Sequence, residues 1–151
     1  VALSKAGAKG VVFGILDENN EFSNYNLPLI EKALEKGLEV TFHRAFDFTA
    51  NPEKTIEKLI ENNVTRLLTS GGKTTAFEGL ELITKLQKNY GSDIQIMAGS
   101  GVNVSNALQI AKSGVWNLHF TAKKSVGKVL LSMGEQTVVD EDKVKGITAL
   151  F

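Results

Sequence analysis

The 151-residue chain has no cysteine, which excludes disulfides and thiolate metal sites. It has only 2 methionines and 2 histidines, so donors for a soft metal ion are scarce. Lysine plus arginine and aspartate plus glutamate each number 17. A net charge of zero removes the electrostatic case for a nucleic-acid or anionic-membrane partner. No apolar run approaches the ~20 residues of a membrane-spanning helix. The opening residues do not follow the basic, apolar, small-residue order of a signal segment. Together with the missing cysteines, this makes a cytoplasmic location the expectation.

What the chain does have is 42% hydrophobic residues, enough for a single domain over 1–151. Five short runs rich in Val, Ile, Leu and Phe read as buried strands: 11–16, 38–43, 66–70, 94–99 and 116–120. They start 27, 28, 28 and 22 residues apart, the length of one strand plus one crossover helix. Asn51-Pro52-Glu53 predicts a helix start, and Thr75 with Glu78 matches a capping box. Leu27, Ile30 and Leu34 predict another helical stripe, and shorter helices are expected over 105–113 and 140–151. Lys123–Gln136 is polar and reads as a loop, and Val1–Ala6 reads as a helix tail stopped by Gly7. Alternating strand and helix predicts a parallel α/β sheet, either open or part of an eight-stranded (β/α) barrel. An opening inside a helix favours the partial barrel, with about five of eight strand–helix units.

In both architectures ligands bind where strands exit at their C-terminal ends. Each predicted strand turns polar or glycine-rich there: Asp17 after the first, His43, Arg44 and Asp47 after the second, and Thr69-Ser70-Gly71-Gly72 after the third. Gly99-Ser100-Gly101 follows the fourth, and His119 ends the fifth. Glycine turns let backbone N–H groups reach an anion, and Arg44 offers a forked contact to carboxylate or phosphate. His43 and Asp47 are the candidate proton carriers, while His43 and His119 are the candidate metal ligands. Bland readings compete. Arg44 and Asp47 can simply pair, Asp17 can open a turn, His119 can be an interior hydrogen-bonded residue, and Trp116 and the phenylalanines can be core. No catalytic constellation stands out, and the enzyme question stays open.

TFHRAFD (41–47), RLLTSGG (66–72), IMAGSGV (96–102) and the strand ending in His119 together resemble the CutC family of copper homeostasis proteins. VVFGIL (11–16) and SMGEQTVVDEDKV (132–144) are similar to it as well. The resemblance implies an eight-stranded barrel of which this chain supplies the last five units, with the first three preceding Val1. It implies copper as ligand, although the copper-binding cysteines proposed for the family belong to its N-terminal strands. Here Met97 and Met133 are the only sulfur donors, and Met97 reads as core. Three functional expectations follow: a copper-binding homeostasis protein, a barrel enzyme or binder with a small anion on its rim, and a truncated product without activity. In each, a second copy is available to cover the open sheet edges.

Overall fold

A computed structural model describes residues 2–128 and 135–151. After a short helix α1 (Ala2–Lys5) come β1 (Gly10–Phe13), α2 (Asn26–Leu34), β2 (Glu39–Phe42), α3 (Pro52–Glu61) and β3 (Arg66–Thr69). There follow α4 (Leu80–Tyr90), β4 (Gln95–Gly99), α5 (Ala107–Ala111) and β5 (Asn117–His119). The chain closes with β6 (Lys123–Lys128), β7 (Glu135–Val139) and α6 (Glu141–Thr148).

The first five strands form one parallel sheet in the order β1-β2-β3-β4-β5. A doubly wound sheet reverses its strand order at a switch point. Here every strand lies beside its sequence neighbour, so uniformly handed crossovers put the helices on one face. That is the wall of a (β/α) barrel, with β1 and β5 as unpaired edges among the described residues.

Side-chain alternation makes the two faces different. Val40, Phe42, Leu67, Ile96 and Ala98 point to the helices and are buried, packing with Ile56, Leu59, Ile83 and Leu86. The opposite face carries Glu39, Thr41, Arg66, Leu68, Gln95, Met97 and Asn117. Arg66 spans three strands there, bonding Glu39 (3.2 Å), Thr41 (3.2 Å) and Gln95 (3.0 Å). Met97 is half-buried on this uncovered face, not in the core as its strand position suggests.

The local signals act as their chemistry requires. Asn51 accepts from the Lys54 N–H (3.0 Å) at the start of α3. Thr75 and Glu78 close the reciprocal box (3.0 and 3.3 Å), but one turn early: α4 begins at Leu80, after Gly79. Asp17 accepts from the N–H groups of Asn19 and Glu21 and so shapes a turn.

Several expectations are corrected. The first strand ends at Phe13, because Gly14–Leu16 turn off to an antiparallel bridge between Leu16 and Phe22. On α2 the buried face is Asn26, Ile30 and Ala33, while Leu27 and Leu34 are exposed. Asn26 replaces an apolar residue in that face because its amide bonds the Ile15 N–H and the Ile15 and Ser23 carbonyls. The stretch expected as a loop, 123–136, contributes β6 and the start of β7, an antiparallel pair. The pair is exposed on most of its length, so it carries no buried-strand alternation. Residues 129–134, with Met133, lie outside the described residues. Trp116 and Phe151 are exposed and stack edge to face at 6.1 Å, and Phe48 is exposed too. Of the phenylalanines, Phe22, Phe42 and Phe46 are core.

Candidate functional site

The C-terminal ends of β2 to β5 share one rim, and Asp47 fastens its first half. Phe42 ends β2, and His43 caps a single 3₁₀ turn, Arg44–Phe48. The capping bond runs from the Ala45 N–H to His43 Nδ1 (3.1 Å). Phe46 anchors the turn in the core. Asp47 then points at the exit of β3, with its side chain 3% exposed.

Its carboxylate accepts from Thr69 Oγ1 (2.5 Å), Ser70 N (3.0 Å), Gly72 N (3.1 Å) and Arg44 Nε (2.7 Å). Ser70 Oγ lies 2.9 Å from the same carboxylate. Burial alone would raise the Asp47 pKa. The Thr69 hydroxyl, the Arg44 guanidinium and the N–H groups of Gly72 and Ser70 outweigh burial and hold it below the usual aspartate value.

This corrects a sequence-level expectation. Gly71 and Gly72 have φ of 70° and 69°, and their turn does gather N–H groups around an anion. That anion is the chain's own Asp47, while the Gly71 N–H donates to Thr69 Oγ1 (2.9 Å). The turn holds no N–H in reserve for a ligand from outside. Every donor around Asp47 is thereby engaged, and one of its oxygens holds Arg44 by Nε.

Arg44 is held by Nε on Asp47 and by Nη2 on Ser70 Oγ (2.8 Å) and the Lys73 carbonyl (3.4 Å). Its Nη1 has no protein partner among the described residues. The fourth exit is tied to the third: Ser100 Oγ donates to the Thr74 carbonyl (2.8 Å), and the Ala76 N–H donates to the Ser100 carbonyl (3.0 Å). Ser100 takes a φ of 86°, a conformation rarely kept outside glycine unless the surroundings enforce it. Here the two bonds to the 74–76 segment do so. The N–H groups of Gly101 and Val102 have no protein partner among the described residues. Gly99 lies opposite His119 in the β4–β5 ladder.

Arg44, the 100–105 loop, His119, Thr121 and Lys143 open on one cleft of about 780 Å³. His119 is exposed here, not interior, because β5 is an edge strand. His43 opens on a neighbouring depression that shares Arg44 and Leu68 with the cleft. The rim thus joins Arg44, Thr69, Ser70, Gly99, Ser100, Gly101 and His119, with His43 and Gly72 at its flank. Sequence reasoning missed Lys143, because nothing in a polar C-terminal helix marks which exposed lysine borders the cleft. Its Nζ donates to the Lys123 carbonyl (2.6 Å).

Copper fits these residues poorly. No group of three or more His, Cys, Asp or Glu able to hold a metal occurs among the described residues. Asp47 is saturated. Binding through His43 Nε2 would move the ring proton to Nδ1, against the Ala45 N–H.

This is a segment of a parallel (β/α) barrel with a polar C-terminal rim. The CutC family model matches residues 1–124, and the chain belongs to the CutC family. It is 40% identical over 144 residues to a CutC family protein of Bacteroides thetaiotaomicron, covering 89% of this chain and 57% of that protein. A relative from Glaesserella parasuis is 39% identical over 93% of this chain and 63% of its own. The solved structure of CutC from Streptococcus agalactiae, provisionally named a copper homeostasis protein, superposes with a TM-score of 0.66 at 30% identity. That match covers 76% of this chain and 57% of the streptococcal one. The chain therefore spans roughly half to two thirds of the length of the relatives it matches. No helix among the described residues is long and apolar enough to cross a membrane.

Proposed function

We propose that this chain serves in the copper-homeostasis setting of its CutC relatives, in the cytoplasm, as a binder of a small anionic ligand at the C-terminal rim. On this reading copper itself is not held by the residues of this chain. The observation that carries the proposal is the state of Arg44. Two of its nitrogens are locked by Asp47, Ser70 and Lys73, while Nη1 has no protein partner among the described residues and Arg44 lines the cleft. A guanidinium preorganised in this way loses little freedom when it meets a carboxylate or phosphate. Lys143, Gly101 and Val102 line the same space, and the N–H groups of the two loop residues have no protein partner among the described residues.

Titration with inorganic phosphate, followed by ¹H–¹⁵N NMR, tests this. Saturable shifts are expected at the Arg44 side chain, Gly101 and Val102, and Lys143→Met weakens the response. Cu(II) added separately produces no saturable change at His43 or His119. Copper saturating both histidines, with phosphate inert, would replace the anion reading with a metal one. The proposal also includes self-association, because β1 and β5 are unpaired edges and Val12 on the uncovered face is 64% exposed. Light scattering on the eluting protein is expected to give a dimer mass or larger. A monomer at every concentration would remove that part.

A further inference from the structure

The shape and lining of the cleft go further than a charge. The cleft measures about 780 Å³, within the range of pockets that enclose whole organic ligands. An inorganic anion would fill a small part of it.

Its walls are apolar on several sides. Leu68 comes from β3, Val102 and Val104 from the loop after β4, Phe120 from the end of β5 and Ile147 from α6. Val102 and Ile147 are buried, while Val104, packed beside Gly146, is 46% exposed. Much of the polar lining is already committed. Ser100 Oγ is bonded to the Thr74 carbonyl, Ser105 Oγ to Asn103 Oδ1, and Asn103 Nδ2 to the Gly101 carbonyl. Side-chain recognition is thereby reduced to Arg44, Lys143, His119 and Thr121. No carboxylate lines the space.

We infer that the rim takes an amphipathic anion, a single phosphate or carboxylate group carried on an apolar or aromatic body. This rests on the anion-binding reading and names its ligand class. The anionic group sits against Arg44 and Lys143, which both line the cleft, and the body lies along Val102, Val104, Phe120 and Ile147. Apolar contact contributes in proportion to the area removed from water, and so separates such ligands from bare ions. Arg44 and Lys143, whose paired carboxylates Asp47 and Asp140 do not line the cleft, separate them from neutral apolar molecules.

Three probes distinguish the outcomes by calorimetry on the whole chain: phenyl phosphate, inorganic phosphate and benzyl alcohol. Phenyl phosphate is expected to bind at least about tenfold more tightly than inorganic phosphate, with benzyl alcohol not binding. Val104→Ser, at a position 46% exposed, reduces phenyl phosphate affinity by about threefold or more and leaves inorganic phosphate unchanged. Equal affinity for the two phosphates would overturn the amphipathic class and leave the anion reading standing. Silence from both phosphates, or benzyl alcohol binding as well as phenyl phosphate, would overturn the anion reading and this inference with it.

Discussion

Replacing Asp47 with asparagine lowers the unfolding free energy by about 3–5 kcal/mol, the usual cost of breaking one side of a buried charged network. The carboxylate is nearly inaccessible and accepts from Thr69, Ser70, Gly72 and Arg44. Asparagine keeps the shape but sets an NH₂ group against donors, and it leaves the Arg44 charge without its partner. Urea unfolding measures the difference, and a loss below about 1 kcal/mol, the worth of an exposed pair, would contradict the account. The sign of the pH dependence follows. The folded pKa of Asp47 lies below the usual value, so its contribution is fully present above the unfolded pKa of about 3.9. It is lost as pH falls through the lower, folded value. The wild type should therefore lose stability below about pH 4 more steeply than the Asp47→Asn variant.

Gly79→Ala is expected to cost about 3 kcal/mol or more, through overpacking alone. Gly79 has an ordinary φ of −91°, so no conformational penalty applies. A Cβ there, however, would run into the Ser70 carbonyl oxygen and lie 2.8 Å from Gly71 Cα. Gly71, facing it at φ 70°, would drive a Cβ into the Gly79 carbonyl. The two glycines let the exit of β3 and the approach to α4 cross at backbone distance, and that crossing holds the turn around Asp47. Gly37 supplies the control. It has φ of 66° with nothing within 4 Å of an added Cβ, so Gly37→Ala reports strain alone, about 1–2 kcal/mol. Gly71→Ala combines both penalties and should be the most damaging of the three. Thermal or urea unfolding gives the order, and Gly79→Ala as mild as Gly37→Ala would show that the crossing can relax.

The parallel sheet was legible because five apolar runs recur at the spacing of a strand and a helix, with the buried face supplied by Val40, Phe42, Leu67, Ile96 and Ala98. The helix start at Asn51 was legible because capping is a short-range matter of one side chain and one N–H. The site was legible as a set of exits. Its wiring was not. Nothing in Thr69–Gly72 states that its N–H groups will be taken by Asp47, since that depends on a 3₁₀ turn aiming a carboxylate across from the neighbouring strand. Asn26 misled for a related reason: an asparagine is buried without cost only where three backbone partners wait, and those lie at Ile15 and Ser23. Lys143 reaches the cleft through the packing of α6 on the 101–105 loop, where Gly146 brings the helix close to Val104. The β6–β7 pair escaped notice because exposed strands held by their own ladder need no buried stripe.

Asp47 occupies the backbone turn at 70–72 and holds Arg44 at the edge of the cleft. A crystal structure of the chain soaked in sulfate tests it most directly. The account predicts sulfate against Arg44 and the Gly101–Val102 N–H groups, with Asp47 still seated between Thr69 and Gly72. Sulfate lodged on the Ser70–Gly72 amides with Asp47 swung outward, or an Arg44 that draws no anion, would contradict it.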